Sequence, residues 1–140
     1  MILLDTNVLF ELMRPQPNPI VVAWINTHST TAMVSAITQA EISLGIALLP
    51  DGKRRDALAA AARQMFEEDF AARCLPFDSA ASEHFAHLVA ERRSIGRPIT
   101  TQDAQIAAIA LANDMQLATR NTDDFKAIPG LELVDPWIDV

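Results

Sequence analysis

Hydrophobic and polar positions fall into blocks along this chain, and the first block ends in an abrupt change of polarity. Residues 1–4 are all apolar and run directly into Asp5, Thr6 and Asn7. A buried strand that ends at the rim of a parallel sheet has this pattern. The next apolar run, residues 8–13, predicts a short helix that Asp5 or Thr6 caps. Because open α/β sheets bind ligands at that rim, Asp5 is a candidate for catalysis or metal binding as well as for capping.

Strand-like and helix-like blocks then alternate along most of the chain. The predicted strands are residues 1–4, 31–34, 73–77, 116–119 and 131–134, and the predicted helices are residues 8–13, 19–26, 36–49, 53–72, 79–95 and 100–113. Residues 120–125 are predicted to form a loop after the fourth strand. The alternation implies parallel strands, because each crossover helix returns the chain to the same end of the sheet. We therefore predict an α/β fold, a three-layer α/β/α sandwich with a central parallel sheet of four to five strands.

Length and composition predict a single soluble domain, residues 1–140, in the cytoplasm. Half of the residues are hydrophobic and 21% are charged, no stretch has the length and apolarity of a membrane span, and the lone Cys74 suits a reducing compartment. The net charge of −7 argues against a protein that coats nucleic acid, although a nuclease with several carboxylates in its site is compatible with it. The cations are grouped, for example Arg92 and Arg93 with Arg97, and each group is either a solvated helix face or a phosphate contact.

Glu41 is the second acid that the pattern singles out. In the helix predicted for residues 36–49, Ile37, Glu41, Leu44 and Leu48 fall on one stripe, which we expect to meet the sheet. A buried carboxylate needs a partner or a metal ion, or else its pKa rises until it is neutral. The alternative is that the helix end lies near solvent, or that an arginine pairs with Glu41.

Asp103 shows the same conflict between polarity and position. It precedes Ile106, Ala107 and Ala110 on one helical stripe, but Thr100 and Asp103 also form a capping box, in which the acid satisfies free amides at the helix start. If Asp103 meets the first two acids at the carboxyl edge of the sheet, their mutual repulsion raises each pKa unless a divalent cation holds them ionised. A site built only of oxygen ligands favours magnesium or manganese over zinc.

The polar segment after the fourth predicted strand is a further candidate. Thr119, Asn121, Asp123 and Asp124 offer hydroxyl, amide and carboxylate groups that orient a water or a phosphate, although an Asx-turn explains the same composition. The chain contains no glycine-rich phosphate loop, no nucleophile elbow and no dinucleotide fingerprint.

Four segments, in this order and spacing, resemble the PIN-domain ribonucleases, specifically the VapC-like toxins of bacterial toxin-antitoxin pairs. They are residues 2–8 (ILLDTNV), residues 35–41 (SAITQAE) with Gly45, residues 101–107 (TQDAQIA), and residues 118–122 (ATRNT) with Phe125, and the resemblance is completed by Gly130 and by residues 135–137 (DPW). The proline-rich residues 14–17 and the closing Pro136 and Trp137 are most similar to the branch that includes the FitB-type proteins.

This resemblance implies a magnesium- or manganese-dependent endoribonuclease whose site is formed by Asp5, Glu41 and Asp103. Asp5 and Asp103 are then expected to bind the cation most directly, with Glu41 as third ligand or acting through water, while Thr6, Asn7 and Asn121 position water or phosphate. Many relatives have a fourth acid two residues after the threonine of the late strand. Here that position is Asn121, which puts a four-carboxylate site in question.

The resemblance also implies partners. Such toxins usually form homodimers and are silenced by a small antitoxin, which carries the DNA-binding domain and so accounts for any contact with DNA. The expected substrate is RNA, and no membrane is involved. The acidic charge of this chain fits that division of labour.

Two rival readings remain open on the sequence. A magnesium-dependent phosphatase that forms a phospho-aspartate typically needs a second acid two residues after Asp5, and position 7 is Asn. A degenerate PIN-fold binding module, which grips a partner without catalysis, is motivated by Asn121 and by the acidic balance of the chain.

Overall fold

The structure is a computed structural model that describes residues 1–138. This part of the chain contains five strands and seven α-helices. The strands are β1 (Ile2–Leu4), β2 (Ala32–Ser35), β3 (Cys74–Leu75), β4 (Gln116–Ala118) and β5 (Leu133–Val134). The helices are α1 (Thr6–Met13), α2 (Pro19–Thr27), α3 (Ala36–Ala47), α4 (Lys53–Gln64), α5 (Ser79–Ser94), α6 (Thr101–Ala112) and α7 (Thr122–Phe125). None of the helices within residues 1–138 has both the length and the apolar character needed to cross a membrane.

The five strands form one parallel sheet in the order β3-β2-β1-β4-β5. β1 is central, and its first residue, Ile2, lies opposite Ala32 of β2 on one side and Gln116 of β4 on the other. The chain builds outward from β1 in both directions, so the direction of the connections reverses beside this strand. Open α/β sheets form a ligand-binding crevice at the carboxyl ends of the strands where this reversal occurs.

The side chains of β1 alternate between two hydrophobic cores, one on each face of the sheet. Ile2 and Leu4 belong to a core with residues of α1 to α4, whereas Leu3 belongs to a core with residues of α5, α6 and α7. Helices therefore cover both faces, which confirms the predicted three-layer α/β/α sandwich, and the parallel sheet predicted to have four to five strands has five.

Two predicted boundaries are wrong. The helix expected at residues 53–72 ends at Gln64 and continues as a π-helical turn, Met65–Asp69, in which the Phe70 N–H bonds the Met65 carbonyl at 2.8 Å. The wider turn brings both Met65 and Phe70 into the core. The expected loop at residues 120–125 contains the short helix α7, which buries Phe125 almost completely.

The expected sheet-facing stripe of α3 is also wrong. Leu44 and Leu48 are 59% and 75% exposed, and the face that is buried carries Thr38 and Ile42 instead. Thr38 lies in the interior because its hydroxyl is hydrogen-bonded there, and a hydrophobicity pattern counts threonine as a polar, outward position. Glu41 therefore lies half-buried at the border of this face rather than in its centre.

Candidate active site

Asp5 is held rigidly at the carboxyl end of β1. Its side chain is 5% exposed and caps α1, with Oδ1 accepting the Thr6 N–H at 2.8 Å. Oδ2 accepts the Thr119 hydroxyl at 2.8 Å and the Asn7 amide at 3.3 Å. Both oxygens are thus oriented by donors from two neighbouring strand ends, so the capping role and the candidate site coincide.

Asn7 and Thr119 join the ends of β1 and β4. The Asn7 amide donates to the Thr119 hydroxyl oxygen at 3.2 Å, and its carbonyl accepts the Arg120 N–H at 3.3 Å. The Thr119 oxygen also accepts the Asn121 N–H at 3.1 Å. These polar atoms are engaged with each other and with Asp5, so in this structure Asn7 and Thr119 orient the carboxylate.

A chain of hydroxyl groups connects Glu41 to the buried end of β2. The Thr6 hydroxyl donates to Glu41 Oε1 at 3.0 Å and lies 3.0 Å from the Thr38 hydroxyl, which in turn accepts from Ser35 at 3.3 Å. Thr6 therefore contacts Asp5 through its backbone and Glu41 through its side chain. The sequence reasoning missed Thr38, although a threonine between a capping serine and Ile42 on the inner face of α3 was an available signal.

Asp103 reaches the same region from the first turn of α6. Thr100 caps this helix by accepting the Asp103 N–H at 3.2 Å, so the predicted cap at Thr100 is confirmed. The Asp103 carboxyl is only half-buried, and burial is the main cause that raises its pKa. The charge of Asp124 in α7 raises the pKa further, whereas a hydrogen bond with Thr100 opposes the rise.

The pKa of Asp5 indicates which other acids lie near it. The pKa of Asp5 is raised from 3.8 to about 6, chiefly because burial disfavours the charged form. Hydrogen bonds from Thr119 and from the Thr6 N–H oppose this rise, and the charges of Asp103 and Glu41 add to it. Asp5 therefore lies within range of the charges of both Asp103 and Glu41, and we call these three residues together the acidic site.

The acidic site is open rather than closed. Within residues 1–138, no three His, Cys, Asp or Glu side chains come together as a complete metal-binding cluster. Asn121 is exposed, and its side chain does not cap α7. Asp123 is also exposed and pairs with Lys126, which lowers the pKa of Asp123. Asp124 is thus the acid of this segment whose charge Asp103 senses.

Two depressions flank the acidic site. The larger, about 620 Å³, begins at Asn7 and Arg120 and is mainly apolar. We call it the apolar groove, and its lining includes Phe10, Met13, Ile46, Leu49, Leu58 and Trp137. The smaller, about 390 Å³, lies beside Asp103 and is polar. We call it the Arg97 cleft, and its lining includes Arg92, Arg97, Thr100, Asp103, Asp123 and Asp124. The sequence grouped these two arginines with Arg93 but gave no indication of where they lie.

The sheet order and the acids at the end of its central strand define the class of protein. The sequence pattern of the PIN domain matches residues 2–131, and the chain belongs to this family. Plasmid stability protein StbB of Pseudomonas syringae pv. tomato is 46% identical over 138 residues, which cover 98% of this chain and 99% of that protein. VapC ribonuclease Y4jK of Sinorhizobium fredii is 41% identical, with 98% of each chain covered.

The third relative is known in structure. Toxin FitB of Neisseria gonorrhoeae is 41% identical, and 99% of this chain and 100% of that protein are covered. Solved structures of FitAB bound to an IR36 DNA fragment and of FitAcB from Neisseria gonorrhoeae each align with a TM-score of 0.90 at 40% identity. The first covers 100% of this chain and 98% of that chain, and the second covers 99% and 100%. The resemblance drawn from the motifs is thereby confirmed at the level of the family.

Proposed function

We propose that this chain is the toxin of a type II toxin-antitoxin pair and that it cleaves RNA as a divalent-cation-dependent endoribonuclease. The observation that carries the proposal is Asp5, a buried carboxylate at the carboxyl end of the central strand whose pKa is raised in part by the charges of Asp103 and Glu41. A buried carboxylate that experiences the charges of two further acids at a ligand-binding edge is unfavourable unless a cation binds beside it. Similarity to a VapC ribonuclease and to toxin FitB supports the reaction and the biological role.

The donor set fits Mg²⁺ or Mn²⁺ in its chemistry. All of the candidate ligands are carboxylate oxygens, which hard divalent cations prefer, and no thiolate or imidazole is part of the acidic site. We assign Asp5 and Asp103 as the ligands and Glu41 as a third ligand, direct or through water. When bound there, a divalent cation would acidify a water and would neutralise charge on the scissile phosphate.

The protein groups around the cation have distinct tasks. Thr119, Asn7 and the Thr6 N–H fix the Asp5 oxygens, so that this ligand needs no rearrangement when the cation binds. The Thr6 hydroxyl donates to Glu41 and so restricts the position of its carboxylate. Asn121, at the position of the fourth acid in many relatives, is assigned to orient water or phosphate, and Asp124 supplies the additional negative charge beside Asp103.

The apolar groove supports a protein partner. It joins the acidic site at Asn7, and Arg14, Arg54 and Arg120 lie among its apolar side chains. An amphipathic segment with acidic residues complements such a surface. We propose that this segment belongs to a small antitoxin, whose own domain contacts DNA. FitAB has been solved on a DNA fragment, which supports this division of roles. The homodimer and the cytoplasmic location expected from the sequence are part of the same proposal.

Purified protein and structured RNA test the enzymatic part. We expect cleavage with Mn²⁺ or Mg²⁺, none with a chelator, and none by Asp5→Asn with any metal. If labelled phosphate instead becomes attached to the wild-type protein, the phosphatase reading is correct. Absence of cleavage by the wild type in both metals contradicts the proposed function.

A degenerate binding module is the second candidate. It is favoured by the exposed amide at Asn121 and by the lack of a closed metal-binding cluster among residues 1–138. This candidate predicts that wild type and Asp5→Asn bind RNA or a partner equally and that neither cleaves.

A further inference from the structure

Arg92 is a buried cation whose guanidinium binds backbone carbonyls. Its side chain, in the last turn of α5, is 4% exposed. Nε donates to the Arg97 carbonyl at 2.7 Å, and Nη1 donates to the carbonyls of Asp124 and Lys126 at 3.1 Å each. No ion pair to a carboxylate is present for Arg92 in the part of the chain that the structure describes. Burying a charge is costly, so these three bonds compensate its lost hydration.

The bonds of Arg92 connect the two rims of the Arg97 cleft. One rim is the turn after α5, where the Arg97 N–H also donates to the Arg92 carbonyl at 2.9 Å. The other rim is the end of α7, at Asp124 and Lys126. Asp103 lies between these rims in the same cleft. Arg92 therefore fixes the distance between the segment that carries Arg97 and the segment that carries Asp124.

Arg97 differs from Arg92 in that its side chain is exposed. Among residues 1–138 it forms no ion pair, and the nearby Asp123 is already paired with Lys126. The charge of Arg97 contributes to lowering the pKa of Asp123, but the guanidinium itself stays exposed in the lining that also holds Asp103 of the acidic site. A guanidinium binds phosphate through two parallel hydrogen bonds, and on a chain of net charge −7 an RNA strand needs such a local attraction.

We infer that the Arg97 cleft is a phosphate-binding subsite for RNA. Arg97 binds a backbone phosphate adjacent to the one cleaved at the acidic site, and Arg92 is a positioning residue that holds Arg97 and α7 around Asp103. The inference rests on the proposed function in taking RNA as the ligand. Asp103 of the acidic site lines the same cleft of about 390 Å³ as Arg97, so a strand that is cleaved beside Asp103 lies next to the segment that carries Arg97.

The first test compares Arg97→Gln with Arg93→Gln. Arg93 is exposed in the last turn of α5 but lines a separate depression with Phe85 and Val89, so both variants lose one surface charge and only Arg97→Gln changes the cleft. Binding of a fluorescent single-stranded RNA is measured by anisotropy at several salt concentrations, in an Asp5→Asn background that prevents cleavage. We expect Arg97→Gln to weaken binding about tenfold and to lower the salt slope by about one, with Arg93→Gln close to the parent.

The second test separates positioning by Arg92 from a purely structural role. Arg92→Lys keeps the charge but lacks the planar fork that reaches three carbonyls. We expect faster amide exchange at residues 97 and 124–126, a raised KM for RNA and a kcat within about threefold of wild type. In the double variant with Arg97→Gln, we expect no further increase in KM, because both substitutions remove the same contact, the one between Arg97 and a phosphate.

The outcomes are distinguishable. Equal effects of Arg97→Gln and Arg93→Gln overturn the subsite even if the protein cleaves RNA. Full additivity of Arg92→Lys and Arg97→Gln overturns the positioning role. A wild-type protein that binds RNA through Arg97 but never cleaves it contradicts the proposed function and leaves the subsite supported.

Discussion

The two aspartates of the acidic site are held in opposite ways. Asp5 is almost fully buried, and its oxygens bond to groups from α1 and from the loop after β4. Asp103 is half-exposed in the first turn of a helix, and Thr100 is the neighbour to which it is bonded. The sheet thus fixes one wall of the site, whereas helix ends carry the other.

This difference indicates how the site functions. A carboxylate that is already oriented binds a cation without loss of side-chain freedom, but it is destabilised as long as no cation is present. A half-exposed carboxylate at a helix end keeps more side-chain freedom and so is able to adjust its position when a cation binds. Substitutions in the two walls should therefore have unequal effects.

The largest effect is expected for Asp5→Asn. Loss of this ligand should reduce RNA cleavage more than about 100-fold, beyond the 10- to 100-fold cost of losing a group that only orients a ligand. The fold should remain, because an amide can still accept the Thr6 N–H. Gel-based cleavage assays and circular dichroism check both parts. Cleavage at the wild-type rate by the folded variant would exclude Asp5 from the site.

The second-largest effect is expected in the pH dependence of the free energy of unfolding, which should follow the ionisation of Asp5. Its pKa is about 6 in the folded chain and 3.8 ordinarily, so the folded state holds the proton more tightly. Stability contributed by the protonated group is present below about pH 4 and is lost as pH rises to about 6, by about 3 kcal/mol at 1.4 kcal/mol per pKa unit. Urea unfolding in chelator at several pH values measures this loss.

Asp5→Asn is the control for that titration. Because the amide does not ionise, the variant should be more stable than the wild type at pH 7 and similar to it at pH 4. If the free energies of unfolding of the two proteins changed in parallel with pH, the pKa of Asp5 would not be raised by its environment.

A smaller effect is expected when the support of Asp5 is removed. Thr119→Val eliminates the 2.8 Å hydrogen bond to Oδ2 and should lower cleavage about 10- to 100-fold. Loss of this bond also raises the pKa of Asp5 further. Because Asp5 must be ionised to bind the cation, the pH above which the enzyme becomes active should increase. Thr119→Ser retains the hydroxyl and should restore both properties. Equal loss in the serine variant would point to packing instead.

The smallest effects should distinguish the acids of α7. Asp124→Asn removes a charge that Asp103 senses and should change cleavage by several-fold, whereas Asp123→Asn removes an exposed partner of Lys126 and should leave the rate unchanged. Cleavage rates at subsaturating Mn²⁺ compare the two variants. A stronger effect of Asp123→Asn would show that Asp123, rather than Asp124, is the acid of α7 that acts together with Asp103.

The sequence allowed the prediction of the rigid wall because local patterns encode it. The change from residues 1–4 to Asp5 marked a strand end, and Asp5 and Thr6 were the candidate caps of the helix that follows. The donors to Asp5 were beyond such patterns, since Thr119 lies 114 positions away along the chain. Non-local pairing of strand ends, rather than composition, determines that contact.

In the wall carried by helix ends, the cap at Thr100 was predicted but the position of Asp124 was not, and the buried polar groups were also harder to predict. Thr38 and Arg92 are polar residues that lie inside, and only the partners provided by the fold make their burial favourable. The expected stripe through Leu44 was wrong for that reason. Asp124, rather than Asn121, adjoins Asp103 because burial of Phe125 turns the segment into a helix.

Crystals grown with Mn²⁺ test the central claim most directly. Anomalous diffraction should reveal a manganese ion about 2.1 Å from carboxylate oxygens of both Asp5 and Asp103, with Glu41 bonded directly or through a water. Such a peak would show that one cation binds both to the wall fixed by the sheet and to the wall carried by helix ends. Manganese bound elsewhere at saturating concentration, with Asp5 and Asp103 free, would contradict the account.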